Sequence, residues 1–410
     1  MTTNAQPWPF AANGARQLAD VAVDLDCSAT MPLDPAVRIA LAELVALDLG
    51  NPSSTHGKGQ AARKLVEWGR HQLAGALGVA PQALALTSGA TEANALAWRG
   101  ILDPLLAAGG RPVVLTSAVE HASVRALATD YRKRGVVVLE LPVDGCGRWR
   151  METLSSLLAG APLAFASLIW VNNETGVVHP VSAVAHAARQ MGAVVHCDAT
   201  QTIGRLPLDL AALGVDLLTL SGHKFGAPAG IGALWVRPGA PITAVQPGHQ
   251  ELGVRGGTEN LLGAVGIGVA AAALSARLTA APRVRQLRDQ LAGELLALDA
   301  VRNADVAADD ESGHIINVSF AGIDAPRLVM ALDLAGVAAS AGSACASGTL
   351  EPSHVQLAMH GDSAAGQARA RGALRFSLGP HHGGEEVGRA ATIVAQVVGR
   401  LRDGGHNRHW

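Results

Sequence analysis

Tyrosine is almost absent from this chain of 410 residues: there is one, and Phe, Trp and Tyr together make up 3%. A surface that binds nucleic acid by stacking bases needs more aromatic faces than that. A charge excess is lacking too. Lys and Arg number 32 against 34 Asp and Glu, a net charge of −2, so no strong field draws the chain toward DNA, RNA or acidic lipid. Cysteine is sparse. Cys27, Cys146, Cys197 and Cys345 are scattered, with no CxxC pair and no zinc spacing, so no metal site is expected. Reduced thiols in a cytoplasm are the simplest reading. No apolar run reaches the length of a bilayer span. Residues 261–276 carry no charge, but the stretch is short, rich in Gly and Ala, and ended by Arg277. The opening residues Met1-Thr2-Thr3-Asn4 lack a basic segment leading into an apolar one, so no signal peptide is expected.

What is present is an alternation. The length exceeds what one hydrophobic core usually holds, so two domains are expected. Asp34 reads as the N-cap of a helix over Pro35–Leu47, and a second helix covers Gly59–Leu77. Strands over Ala83–Thr87, Pro112–Thr116, Val136–Leu141, Leu163–Trp170 and Ala193–Cys197 then alternate with helices over Thr91–Leu105, Ser123–Arg134 and Ala183–Met191. Such alternation predicts an α/β fold, a mainly parallel sheet covered on both faces. After Asn260 a long helical stretch to about Leu298 leads toward a second domain. That domain would hold strands at Ile315–Phe320 and Ala373–Ser377 and helices at Ala325–Leu334 and Glu385–Arg402.

Polar clusters follow the apolar runs. Ser221-Gly222-His223-Lys224 ends one strand and enters a turn rich in Gly and Pro. A primary amine so placed can form a Schiff base with a carbonyl, and pyridoxal phosphate is the carbonyl partner that also needs an acid at its pyridinium nitrogen. Asp198, at the end of the preceding run, fits that acid. A metal held by His196, Cys197 and Asp198 is disfavoured, because strand alternation points adjacent side chains to opposite faces. Ser88-Gly89-Ala90-Thr91-Glu92 joins a strand to a helix start, where an anion such as phosphate is favoured. His121 follows the next strand and could stack on a flat ring and move protons. Asn172-Asn173-Glu174 ends another. Five polar clusters beyond strand ends, at Ser88, His121, Asn173, Asp198 and His223, match the place where open α/β sheets bind ligands. Further on, Cys345 sits in a run of small residues, Ser340 to Gly348, as the candidate reactive thiol. Arg375 lies inside a strand and could grip a carboxylate through both arms of its guanidinium or form a structural ion pair.

The ordered set Gly50-Asn51-Pro52-Ser53-Ser54, Ser88-Gly89-Ala90-Thr91-Glu92, Asn172-Asn173-Glu174-Thr175-Gly176, Ser221-Gly222-His223-Lys224, Gly257-Thr258-Glu259-Asn260, Gly342-Ser343-Ala344-Cys345 and Arg375-Phe376-Ser377 closely resembles the cysteine desulfurases of the NifS/IscS type, in the class V aminotransferase family. The resemblance covers about Val23 to Gly379. It implies a fold-type I pyridoxal-phosphate enzyme with a seven-stranded sheet in a large domain (34–279) and a smaller α+β domain (1–33 and 280–410). Lys224 would carry the cofactor as a Schiff base. Asp198 would pair with the pyridine nitrogen, Gln201 with the phenolic oxygen, and His121 would stack on the ring. Ala90, Thr91, Ser221 and His223 would hold the phosphate, with Thr258 completing the site of the other subunit in a homodimer. Asn173, also beside the cofactor, and Arg375 would hold the carboxylate of L-cysteine. Cys345 would take the sulfur as a persulfide and pass it to an acceptor protein, leaving L-alanine. A selenocysteine lyase, or another class V aminotransferase-type enzyme, is the alternative. Cys27, Phe225-Gly226-Ala227-Pro228 and Pro247-Gly248-His249-Gln250-Glu251 depart from the usual pattern, and none removes a catalytic group. The acceptor is not named by the sequence: iron–sulfur cluster assembly, thio-modified nucleic acid, cofactor synthesis and specialised metabolism all fit.

Overall fold

The computed structural model describes residues 23–160, 162–342 and 352–406. Its strands in chain order are β1 (Val23–Asp24), β2 (Leu84–Thr87), β3 (Val113–Ser117), β4 (Val137–Leu141), β5 (Leu163–Ile169), β6 (Val194–Asp198), β7 (Leu217–Ser221), β8 (Gly232–Val236), β9 (Ala300–Arg302), β10 (Ile315–Phe320), β11 (Val337–Ala338) and β12 (Ala373–Ser377). Seven of them form the main sheet in the order β2-β8-β7-β6-β5-β3-β4. All its neighbours are parallel except β8, which runs antiparallel to both β2 and β7. Two reversals cancel, so β2 points the same way as β7. The C-terminal ends of β2, β3, β5, β6 and β7 therefore open on one edge. The expected mainly parallel, seven-stranded sheet is borne out.

Both faces of the sheet are buried, as a parallel sheet requires. One face packs Leu73, Leu84, Leu115, Leu168, Leu218 and Ile267. The other packs Trp98, Tyr131, Phe165, Leu217 and Leu234. A separate core gathers Val23, Leu25, Leu291, Val318, Leu374 and Val394 around the antiparallel sheet β12-β10-β9.

The uncharged stretch after Asn260 is a core helix, Leu261–Ala272, lying against the helix Gly57–Leu77. Glycines permit the close approach: a Cβ on Gly69 would stand 2.0 Å from the Ala264 carbonyl oxygen, and one on Gly268 would stand 2.6 Å from the Gly69 Cα. The expected continuous helix is instead two, Leu261–Ala272 and Leu274–Leu296, bent by 57°. The first is held in the large core, while the second reaches across to the smaller one through Val284, Leu287 and Leu291. Among the described residues no single helix is long and apolar enough to cross a membrane.

The edge strand β2 is clamped from outside. Arg70 bonds Glu251 through both arms, at 2.6 and 2.9 Å, and also the Leu84 carbonyl, while the Leu86 N–H donates to Glu251. This buried pair anchors the strand that leads into Ser88.

One buried histidine sets an acid limit. The His179 ring stacks on Trp149 at 4.5 Å, and neither ring nitrogen has a hydrogen-bond partner among the described residues. Burial pushes its pKa from 6.5 down to about 3. The folded state holds it neutral while the unfolded chain takes up a proton below the ordinary value, so stability falls as pH drops from about 6.5 toward about 3. Replacing His179 with Phe is expected to flatten that fall by up to about 1.4 kcal/mol per pH unit. Urea unfolding midpoints across the window check this, and an unchanged slope would contradict it.

Candidate active site

The strand ends surround a cavity of about 410 Å³, lined among others by Ser88, Ala90, Thr91, His121, Asn173, Asp198, Gln201, Ser221, His223, Lys224 and Arg375. That volume suits a small cofactor. Five strand ends of the main sheet, with Arg375 from β12, thus bring together every expected site residue but two. Thr258 is exposed on the loop before Leu261 and does not line this cavity. Cys345 lies outside the described residues; the described neighbours of its segment, Gly342 and Ser353, meet beside buried Glu174, whose carboxylate accepts from the Ser353 hydroxyl at 2.8 Å.

Lys224 closes the short turn after β7. Its Nζ donates to the carbonyls of Ser28 and Ala29, each at 2.7 Å. Those carbonyls belong to the segment after β1, which is laid along β12 by Cys27 N–H to Ser377 O and Ser377 N–H to Leu25 O. The smaller core thus supplies part of the lysine's surroundings.

Asp198 is buried at the end of β6. One oxygen accepts from Asn94 Nδ2 at 2.9 Å and the other from the Thr200 N–H at 3.0 Å. Asn94 also donates to Ser123 Oγ at 3.1 Å. With that bond accepted, the Ser123 hydroxyl directs its proton to His121 Nδ1, 2.8 Å away, which also accepts the Ser123 N–H. This network assigns the neutral imidazole its proton on Nε2. Burial lowers the His121 pKa, with nearby Asp198 opposing and Lys224 adding to the fall. The ring is therefore a neutral group at neutral pH, suited to giving and taking a proton.

The helix Ala90–Ala107 begins with no side-chain cap, so its first N–H groups are unclaimed by a capping oxygen. Its N-cap, Gly89, has φ 151°, in the region that favours glycine, and a Cβ there would lie 3.6 Å from Ser221 Oγ. Thr30 Oγ1 meets His223 Nδ1 at 3.0 Å. Burial first, then Lys224 and Arg205, push the His223 pKa down to about 4.

Arg375 is buried in β12. Its guanidinium donates to the Asn173 carbonyl at 2.7 Å and pairs with Asp26 at 2.6 Å, while Nε has no partner among the described residues. The ion pair expected as one reading of this arginine is present, and the side chain also lines the cavity.

These residues fit pyridoxal phosphate. An uncapped helix start beside Ser221 and His223 suits the phosphate. A buried carboxylate suits the pyridinium nitrogen. Gln201 Nε2 uses one N–H on the Ser28 carbonyl and has a second to offer, and the buried Thr200 Oγ1 and Gln201 Oε1 have no partner among the described residues.

Residues 23–389 match the model of the class V aminotransferases. The chain belongs to this family. A cysteine desulfurase of Gluconacetobacter diazotrophicus is 39% identical to it over 93% of this chain and 94% of that protein. A solved NifS-like protein superposes with a TM-score of 0.84 at 30% identity, covering 92% of this chain and all (100%) of that one. A structure of SspA in complex with cysteine matches with a TM-score of 0.73 at 27% identity, over 88% of this chain and 100% of that one. The fold-type I architecture, the pyridoxal-phosphate dependence and the desulfurase assignment expected from the motifs stand on these likenesses together.

Sequence reasoning passed over Asn94, Ser123, Asp26 and the two carbonyls at Ser28 and Ala29. A signal existed for Asn94: it follows Thr91 by three residues, so both lie on one helix face.

Proposed function

We propose that this cysteine desulfurase takes the sulfur of L-cysteine onto Cys345 as a persulfide, leaves L-alanine, and delivers the sulfur to an acceptor protein. The observation that carries the reading is the convergence of Lys224, Asp198, His121, Asn173 and Arg375 on one cavity. Lys224, Asp198, Gln201, Ala90, Thr91, Ser221 and His223 would hold pyridoxal phosphate, which when bound would supply an electron sink for the substrate carbon framework. Lys224 would hold the cofactor, and its amine, once free, would move the proton at the substrate Cα. His121, which lines the cavity, holds its proton on Nε2. The Cys345 thiolate attacks the substrate sulfur; the S–S bond forms as the C–S bond breaks, and that electron pair returns to the carbon framework, which takes up protons to become alanine. Arg375, whose Nε has no partner among the described residues, would hold the substrate carboxylate together with the Asn173 side chain.

The site is read as completed across a homodimer. Support comes from the exposed position of Thr258, away from its own cavity, and from Ile39, Trp68 and Leu262, large apolar residues exposed on neighbouring helices. The separate apolar cores support the division into domains 34–279 and 1–33 with 280–410, of which residues 1–22 lie outside the described residues. Unpaired thiols at Cys27, Cys146 and Cys197 support a cytoplasmic setting.

The test is product stoichiometry. The enzyme loaded with pyridoxal phosphate, given L-cysteine and a thiol reductant, is expected to yield alanine and sulfide in equal amounts. Arg375→Gln should raise KM for cysteine about tenfold to a hundredfold, the scale of a lost charge-assisted hydrogen bond, with the cofactor still bound. Turnover of selenocysteine with none of cysteine would move the reading to a selenocysteine lyase.

A further inference from the structure

A second, smaller cavity lies behind Lys224, between the two apolar cores. Lys224 lines both spaces. From the large core come Arg205 and Arg277; from the smaller one come Ser312 and His314. Its volume is about 30 Å³, room for one or two water-sized particles but not for an amino acid.

Its polar groups are largely unmatched. Arg205 Nη2, Arg277 Nε, Ser312 Oγ and both ring nitrogens of His314 are buried with no hydrogen-bond partner among the described residues. The Ser312 carbonyl lies near the His314 ring without the geometry of a hydrogen bond. Arg277 has a counter-ion, Asp34 at 3.1 Å, and Arg375 has Asp26. Arg205 has only a long bond, 3.4 Å, to the Gln201 carbonyl, and forms no salt bridge among the described residues. Burial first, with Arg277 and Arg375 adding, lowers the Arg205 pKa to about 10, so it stays cationic at neutral pH. Burial pushes His314 well below its ordinary value, so it is neutral and brings one N–H. Each of the four side chains can thus offer a donor, two of them charged, with two guanidinium charges against one carboxylate. An uncompensated buried cation is costly.

We propose that this interdomain cavity binds one small monovalent anion of halide size, held by Arg205, Arg277, His314 and Ser312. A phosphate is too large for the space, and the cofactor's phosphate has its own place at Ala90 and Thr91 on the far side of Lys224. This goes beyond the desulfurase reading and does not depend on it.

The test uses the full-length enzyme loaded with pyridoxal phosphate. Thermal unfolding is followed as chloride replaces gluconate, an anion too large for the cavity, at constant ionic strength. The expected result is a saturable upward shift of the midpoint, on the order of 2 °C, lost in Arg205→Met. Equal midpoints in the two salts, or an undiminished chloride response in Arg205→Met, would overturn the proposal. Should Arg205→Met not fold, crystals of the unmodified enzyme soaked in bromide decide. An anomalous peak between Arg205, Arg277 and His314 supports the site, and its absence at saturating bromide means that water alone fills the space.

Discussion

Lys224→Ala should lower cysteine turnover by at least about 10²–10⁴-fold, the scale lost with a positioned proton-transfer group, and should remove the absorbance of the lysine Schiff base. Lys224→Arg should do no better. Arginine keeps the positive charge facing the Ser28 and Ala29 carbonyls but offers no nucleophilic amine at neutral pH. A small primary amine added to Lys224→Ala should restore part of the rate, because what is missing is an amine and not a shape. If Lys224→Arg retained most of the activity, Lys224 would be an electrostatic group and the Schiff-base role would be wrong.

Cys345→Ala should cut alanine formation from cysteine to below about one-hundredth while the cofactor absorbance stays in place. The three described thiols are poorly placed to substitute. Burial, with Asp24 adding, pushes Cys27 up to about 12. Burial also raises Cys197 well above its ordinary value. Both are held as thiols, whereas the attacking species is a thiolate. Cys146 sits in the turn with Asp144 and does not line the cavity. A Cys345→Ala enzyme with full sulfide release would assign the sulfur acceptor elsewhere.

The site was legible in the sequence because the fold is repetitive. Each apolar run that ends in a polar cluster is a strand ending at the same sheet edge, so Ser88, His121, Asn173, Asp198 and Lys224 could be grouped without knowing the strand order. The reversed direction of β8 was not legible, since an apolar run carries no sign of direction. Contacts across large sequence distances were equally hidden. Arg375 meets Asp26 and Lys224 meets Ser28 only because β12 holds the segment after β1 against the end of β7. Asn94 lies two residues beyond the Ser88–Glu92 motif, and its bridge from Asp198 to Ser123 and on to His121 depends on the packing of a helix against β6. The unmatched guanidinium of Arg205 is likewise invisible in sequence, where an arginine beside a turn reads as a surface charge.

The central claim, that Lys224 and Cys345 work on one substrate, is tested most directly by mass spectrometry of the Cys345 peptide after a single turnover of L-cysteine without reductant. The account predicts that this peptide gains the mass of one sulfur atom, that the gain is reversed by reductant, and that it is absent in Lys224→Ala. An unmodified Cys345 peptide after alanine has formed, or the added sulfur found on Cys27, Cys146 or Cys197 instead, would contradict it.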